Sequence, residues 1–165
     1  MLPVAHVHRP GGPRSSPTAR RADTLREFGY LMRCLIVDDC PDFLRAAQCL
    51  LTGQGIEVVG MASDSAQALR QAEQLKPDVA LVDIDLGGEC GLELVGRMRL
   101  ETGPPPPLVI LVSVHAEEEY TGMIEESAAA GFLAKTALSG NAIRALLAEA
   151  NEDHRESSII WPPER

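Results

Sequence analysis

Apolar residues along this chain come in short blocks. LIV at 35–37, IEVVG at 56–60, VALVDI at 79–84, LVILVS at 108–113 and GFLA at 131–134 are brief, rich in β-branched residues and mostly continuous. Continuity over so few residues predicts strands buried on both faces, since a half-exposed strand alternates apolar with polar. Between the blocks the spacing changes to that of a helix stripe: Phe43, Ala46, Ala47, Leu50 and Leu51; Ala68, Leu69, Ala72 and Leu75; Leu92, Val95 and Met98; Tyr120, Met123 and Ile124; Ile143, Leu146 and Leu147. Five strands therefore alternate with five helices. Turn chemistry sets their limits, with Pro41 suited to a first helical turn, Ser63 and Asp64 to capping the second helix, and Pro77 and Pro104 to Pro107 to stopping helices before strands. Such βα repeats imply an α/β fold, a five-stranded parallel sheet with helices on both faces and right-handed crossovers.

Composition fixes the domain count. The 165 residues suffice for one domain with tails, and at 45% hydrophobic with only 4% aromatic the core must be aliphatic. We divide the chain into a disordered leader at 1–31, a domain at 32–150 and a C-terminal tail at 151–165. The first 30 residues carry four prolines with Gly11, Gly12, Ser15 and Ser16 and no apolar period, and Met32 just before the first strand offers an alternative start. No apolar run approaches a membrane span and the leader lacks a secretory apolar block, so the expectation is a cytoplasmic protein without a membrane partner. Cys34, Cys40, Cys49 and Cys90 lack zinc-site pairing and are expected to be buried reduced thiols.

Charge is uneven. Residues 1–33 hold six Arg against two acids, whereas the other 132 residues hold nine bases against 22 acids, within a net charge of −9. An acidic body repels phosphate backbones, which argues against direct nucleic-acid binding.

Residues suited to chemistry collect where such folds place their sites, at the carboxyl ends of the strands. The first strand ends in Asp38 and Asp39, the third in Asp83, the fourth in Ser113, and Lys135 follows the fifth. Converging carboxylates repel unless a cation joins them, and oxygen-only ligands at an open, wet site suit Mg²⁺. A hydroxyl and an ammonium can then hold the remaining oxygens of a phosphoryl group. Taken singly each residue has a plainer explanation: a turn or helix cap for Asp38 and Asp39, a strand end for Ser113, a core aromatic for Phe132, and a solvated loop acid for Asp85. The glutamates at 117–119 and 125–126 are expected on the solvated face of the fourth helix.

Four segments in order, LIVDD (35–39), PDVALVDIDLGGECG (77–91), LVS (111–113) and GFLAK (131–135), resemble the receiver domain of two-component response regulators. The similarity covers roughly 32–150, and the spacings of 44 from Asp39 to Asp83, 30 from Asp83 to Ser113 and 52 from Asp83 to Lys135 are usual for that family. The resemblance implies a flavodoxin-like (βα)5 fold and a signalling domain rather than an enzyme. Asp83 is implied as phosphoacceptor from a sensor histidine kinase or phosphotransfer protein. Asp39, Asp83 and the Asp85 carbonyl are implied as direct Mg²⁺ ligands, with Asp38 acting through water. Ser113 and Lys135 are implied as phosphoryl-oxygen partners, and Phe132 as an aromatic switch that follows Ser113.

Departures from the family pattern also matter. Gly87 stands where proline is usual, leaving that loop less restrained; Thr136 follows the lysine in place of proline, so a cis bond there costs about 2.5–4 kcal/mol; and Val114 is bulkier than the usual small residue. The stretch 135–147 resembles receivers joined to helix-turn-helix outputs. With no such domain in this sequence, the implied output is a surface on the fourth helix, fifth strand and fifth helix, for a partner or a homodimer. Two rival readings are a haloacid-dehalogenase-like phosphatase, from Asp83-Ile84-Asp85, and a degenerate receiver acting only as a binding module. The phosphatase motif belongs on a first strand and is followed by Thr or Val, whereas here it lies on the third and Gly87 follows.

Overall fold

A computed structural model describes residues 31–157. The leader, apart from Leu31, and the end of the tail with Ile159, Ile160 and Trp161 lie outside the described residues. The strands are β1 (Met32–Val37), β2 (Ile56–Ala62), β3 (Val79–Asp83), β4 (Leu108–Ser113) and β5 (Gly131–Ala134). The helices are α1 (Pro41–Gly53), α2 (Ser65–Leu75), α3 (Gly91–Glu101), α4 (Thr121–Glu126) and α5 (Gly140–Ser157). Thus α5 continues seven residues past position 150.

All strand pairs are parallel and the order is β2-β1-β3-β4-β5. Successive side chains of a strand point to opposite faces, and here both faces are covered. Leu35, Val37, Ala80 and Val82 pack with Ala68 and Ala72 of α2 and with Leu94, Val95 and Met98 of α3. Their neighbours Cys34, Ile36, Val79 and Leu81 pack on the opposite face, with Leu44, Ala47 and Leu51 of α1 and Ile143 and Leu147 of α5. The double covering explains why the strands read as unbroken apolar blocks. The order reverses between β1 and β3, the place where folds of this type open a crevice at the carboxyl ends.

Local chemistry matches several expected limits. Pro41 opens α1, where a missing N–H costs nothing. Asp64 caps α2 by accepting from Gln67 N at 2.8 Å, and the Ser63 amide and hydroxyl donate to the Gln67 side chain at 3.3 Å.

Two expectations need correction. Glu117–Glu119 form a separate 3-10 turn rather than the face of α4, which has only six residues. Gly122, a poor helix former, and Ser127, which turns to extended backbone, leave little room for a longer α4. Of the cysteines only Cys34 is buried, its thiol pushed up to about 12 by burial, while Cys40 and Cys49 are exposed and Cys90 is half-buried. The cis peptide among the described residues is Pro104–Pro105, and Lys135–Thr136 is trans.

Candidate phosphoryl and metal site

β1 and β3 lie side by side with Val37 opposite Val82, so the residues that follow, Asp38 and Asp83, emerge at the same level. Asp83 pairs in register with Val112, and Ser113 with Ala134, which brings Ser113 and Lys135 to the same edge. Carboxylate oxygens of Asp38, Asp39 and Asp83 lie within 4.8 Å of one another. Asp38 is fully buried and Asp83 nearly so, while Asp39 is exposed at the mouth.

Lys135 bridges the two buried acids. Its ammonium stands 2.5 Å from Asp38 Oδ2 and donates to Asp83 Oδ2 at 2.9 Å. Phe43 of α1 presents its ring to the same ammonium, 4.4 Å from the centroid, adding a cation–π contact. The backbone holds the other oxygens: Cys40 N donates to Asp38 Oδ1 at 2.8 Å and Asp85 N to Asp83 Oδ1 at 3.1 Å. Ser113, also buried, accepts from His115 N at 3.1 Å.

The titration behaviour follows from this crowding. Burial raises the Asp83 carboxyl above its ordinary value; the hydrogen bonds from Lys135 and Asp85 N pull it back, and the Asp38 charge pushes it up again. Burial alone lowers the Lys135 ammonium, but its contacts with Asp38 and Asp83 outweigh that, and it ends raised. One ammonium thus serves two carboxylates of a cluster of three, a deficit that a divalent cation would correct. The donors fit Mg²⁺: all are oxygens, two are fixed by backbone amides, and the third opens to water.

The structure brings Asp38, Asp39, Asp83 and Lys135 together and sets Ser113 on the adjacent strand end. The Asp85 side chain stays apart, accepting from Gly87 N at 3.2 Å, so only its backbone faces the question of metal. Phe132 is buried in the core face that includes Ile84 and Leu111, its ring 6.5 Å from Tyr120. Val114 is 73% exposed beside Ser113.

Four residues escaped the sequence reading. Phe43 was taken only as part of a helix stripe. Gly87 was expected to loosen its loop, yet it adopts φ +63°, and a Cβ there would meet Asp39 Oδ2 at 2.7 Å, so the loop is pressed against that carboxylate. Glu89 accepts from Ser65 N at 2.9 Å across the gap to α2. Gly91 leaves no space for a side chain, since a Cβ would lie 2.0 Å from the Asp83 carbonyl oxygen. The Gly-Gly pair and the glycine at a helix start were the available signals. Gly91→Ala is expected to destabilise the fold by about 1–3 kcal/mol through overpacking, read as a lower denaturation midpoint with unchanged slope; an unaltered midpoint rejects the close contact.

A family model described as the response regulator receiver domain matches residues 34–148. The chain is similar to the response regulator GacA of Pseudomonas viridiflava, at 34% identity over 109 residues, covering 65% of this chain and 50% of GacA. It is also similar to the DNA-binding transcriptional activator EvgA of Escherichia coli K12, at 28% over 120 residues, covering 73% of this chain and 58% of EvgA. Among solved structures, the signal receiver domain of a NarL response regulator from Mycobacterium tuberculosis superposes with a TM-score of 0.62 at 31% identity, covering 73% of this chain and 97% of that one. The chain spans about half the length of the curated relatives it matches.

Proposed function

This chain belongs to the family of response-regulator receiver domains, and from that premise we propose that it is a phosphoacceptor whose Asp83 takes a phosphoryl group in a Mg²⁺-dependent reaction. The observation that carries the proposal is the convergence of Asp38, Asp39 and Asp83, with the Lys135 ammonium bridging Asp38 and Asp83. A signalling domain of this family receives its phosphoryl group from a sensor histidine kinase or phosphotransfer protein.

An Asp83 carboxylate oxygen attacks phosphorus in line, a new O–P bond forms, and the bond to the donor breaks with its electron pair leaving on the donor. Asp39, Asp83 and the Asp85 carbonyl would hold Mg²⁺, with Asp38 beside them to support it. Bound there, Mg²⁺ supplies positive charge to the crowded acids and to the phosphoryl oxygens. Lys135 then exchanges an Asp83 oxygen for a phosphoryl oxygen, and Ser113 gives up its acceptor role toward His115 N to donate to another. Movement of Ser113 toward the phosphoryl group changes the space beside β4 and β5, and Phe132 turns to follow it. The consequence is an altered surface on α4, β5 and α5, offered to a protein partner or a second copy of the chain.

Incubation with a small acyl-phosphate donor tests this. We expect one labile phosphoryl group per chain, dependent on Mg²⁺ and absent with EDTA. Continuous release of phosphate at many turnovers per chain points instead to a phosphatase, and no uptake under any divalent ion leaves a binding module. Val114 is exposed next to Ser113 in the chain, and its bulk hinders the approach of water in this reading, so Val114→Ala is expected to shorten the phosphoryl lifetime. An unchanged decay rate removes that role.

A further inference from the structure

Between β3 and α3 the chain makes a miniature hairpin. Asp85 and Cys90 form an antiparallel bridge, Leu86 N donates to Glu89 O at 3.0 Å, and Gly87 and Gly88 make the two-residue tip with φ of +63° and +106°. Two successive positive φ values are what a tight hairpin turn asks of its centre, and glycine supplies them without steric cost. Leu86, 3% exposed, plugs one arm into the core.

Two contacts reach out from the hairpin. At the tip, Gly87 lies so near Asp39 that a Cβ would stand 2.7 Å from Oδ2 and 3.5 Å from Cγ. On the second arm, Glu89 Oε2 accepts from Ser65 N at 2.9 Å. Ser65 is the first residue of α2, whose amides have no partner within the helix. Asp64 already serves the Gln67 amide from within that turn, so Glu89 fills a different vacancy from outside. A carboxylate at this end is also favoured by the helix dipole.

We propose that Glu89 is a positioning residue for the metal site. Its bond to Ser65 N clips the hairpin to α2, and the clipped hairpin holds Gly87 against Asp39 and sets the Asp85 carbonyl, so that Mg²⁺ finds its ligands already arranged. This rests on the Mg²⁺-binding phosphoacceptor reading. It also gives Gly87 a purpose: proline is confined to φ near −65° and cannot adopt the observed +63°, and a Cβ there would stand 2.7 Å from Asp39 Oδ2, so that carboxylate would have to shift.

The test is Mg²⁺ binding to the full chain by isothermal calorimetry, without any phosphodonor, for the wild type, Glu89→Ala, Glu89→Gln and Gly87→Ala. Loss of one charge-assisted bond in Glu89→Ala should weaken Mg²⁺ about five-fold, while the melting temperature in EDTA falls only slightly, because Glu89 is exposed and water can replace it at the part-buried Ser65 amide. Glu89→Gln keeps an acceptor oxygen and should return affinity to within about two-fold of the wild type. Gly87→Ala, which displaces Asp39 directly, should weaken binding more than about ten-fold. Amide exchange in EDTA provides a second reading: the Ser65 amide should exchange faster in Glu89→Ala and not in Glu89→Gln. Wild-type affinity in Glu89→Ala, or failure of glutamine to restore it, overturns the clip while leaving the phosphoacceptor reading intact. A wild-type chain that takes up no Mg²⁺ overturns both.

Discussion

Asp83→Asn is expected to abolish phosphoryl uptake altogether and, at the same time, to raise the melting temperature of the metal-free protein. Asparagine nearly matches the shape of the side chain and keeps an oxygen to accept from Asp85 N, now at 3.1 Å from Asp83 Oδ1, but its amide is no nucleophile toward phosphorus. The gain in stability follows from the raised Asp83 carboxyl, for which burial is the chief cause. A carboxyl with a higher pKa folded than unfolded stabilises the fold fully only below its unfolded value, near 3.8, and that contribution is lost as pH rises through the folded value. Above the folded value the metal-free protein carries the full charge cost, and asparagine removes it. Each kcal/mol recovered raises the melting temperature by about 2–4 °C in a chain of this size. Thermal melts in EDTA should show the advantage of the variant growing as pH rises from the unfolded value of 3.8 through the raised folded value. A variant that still takes a labile, Mg²⁺-dependent phosphoryl group defeats the assignment of Asp83, and a pH-independent difference in melting defeats the electrostatic account.

Most of the architecture was legible in the sequence because the sheet is covered on both faces. Residues such as Leu35 and Ile36, or Val79 and Ala80, serve opposite cores and must all be apolar. The acidic and polar side chains at strand ends were legible for the complementary reason: Asp38, Asp83 and Ser113 interrupt apolar runs where no core residue should be polar. What stayed hidden depends on proximity through space. Nothing local distinguishes Phe43 from other residues of an amphipathic stripe, yet it stacks on Lys135, 92 positions away. Glu89 reads as a loop acid until its distance to Ser65 N is known. Gly87 invited the wrong conclusion because freedom in the unfolded chain was taken for looseness in the folded one; its φ and its contact with Asp39 make it a constraint. The short α4 failed for a different reason, since three apolar residues at helical spacing fit both a full helix and a 3-10 turn followed by six residues.

The ammonium of Lys135 supports a second large effect. It is the cation facing Asp38 and Asp83 in the metal-free structure, and its own side chain is only 14% exposed. Removing one member of a buried ion pair leaves the others without compensation, which costs on the order of 3 kcal/mol. Lys135→Met retains a long apolar chain to lie against Phe43 and deletes only the charge, so the expected result in EDTA is a markedly lower melting temperature. Mg²⁺ should then restore more stability to the variant than to the wild type, because the three carboxylates offer it a deeper negative potential with no ammonium competing for Asp38 Oδ2 and Asp83 Oδ2. Phosphoryl uptake should nevertheless be slow even at saturating Mg²⁺, since the variant has lost one of the two donors that receive the phosphoryl oxygens. Melting curves across a Mg²⁺ titration decide the matter. Equal stabilisation of both proteins by Mg²⁺ means that the ammonium and the metal do not share the same carboxylates, and the site described above then has the wrong occupants.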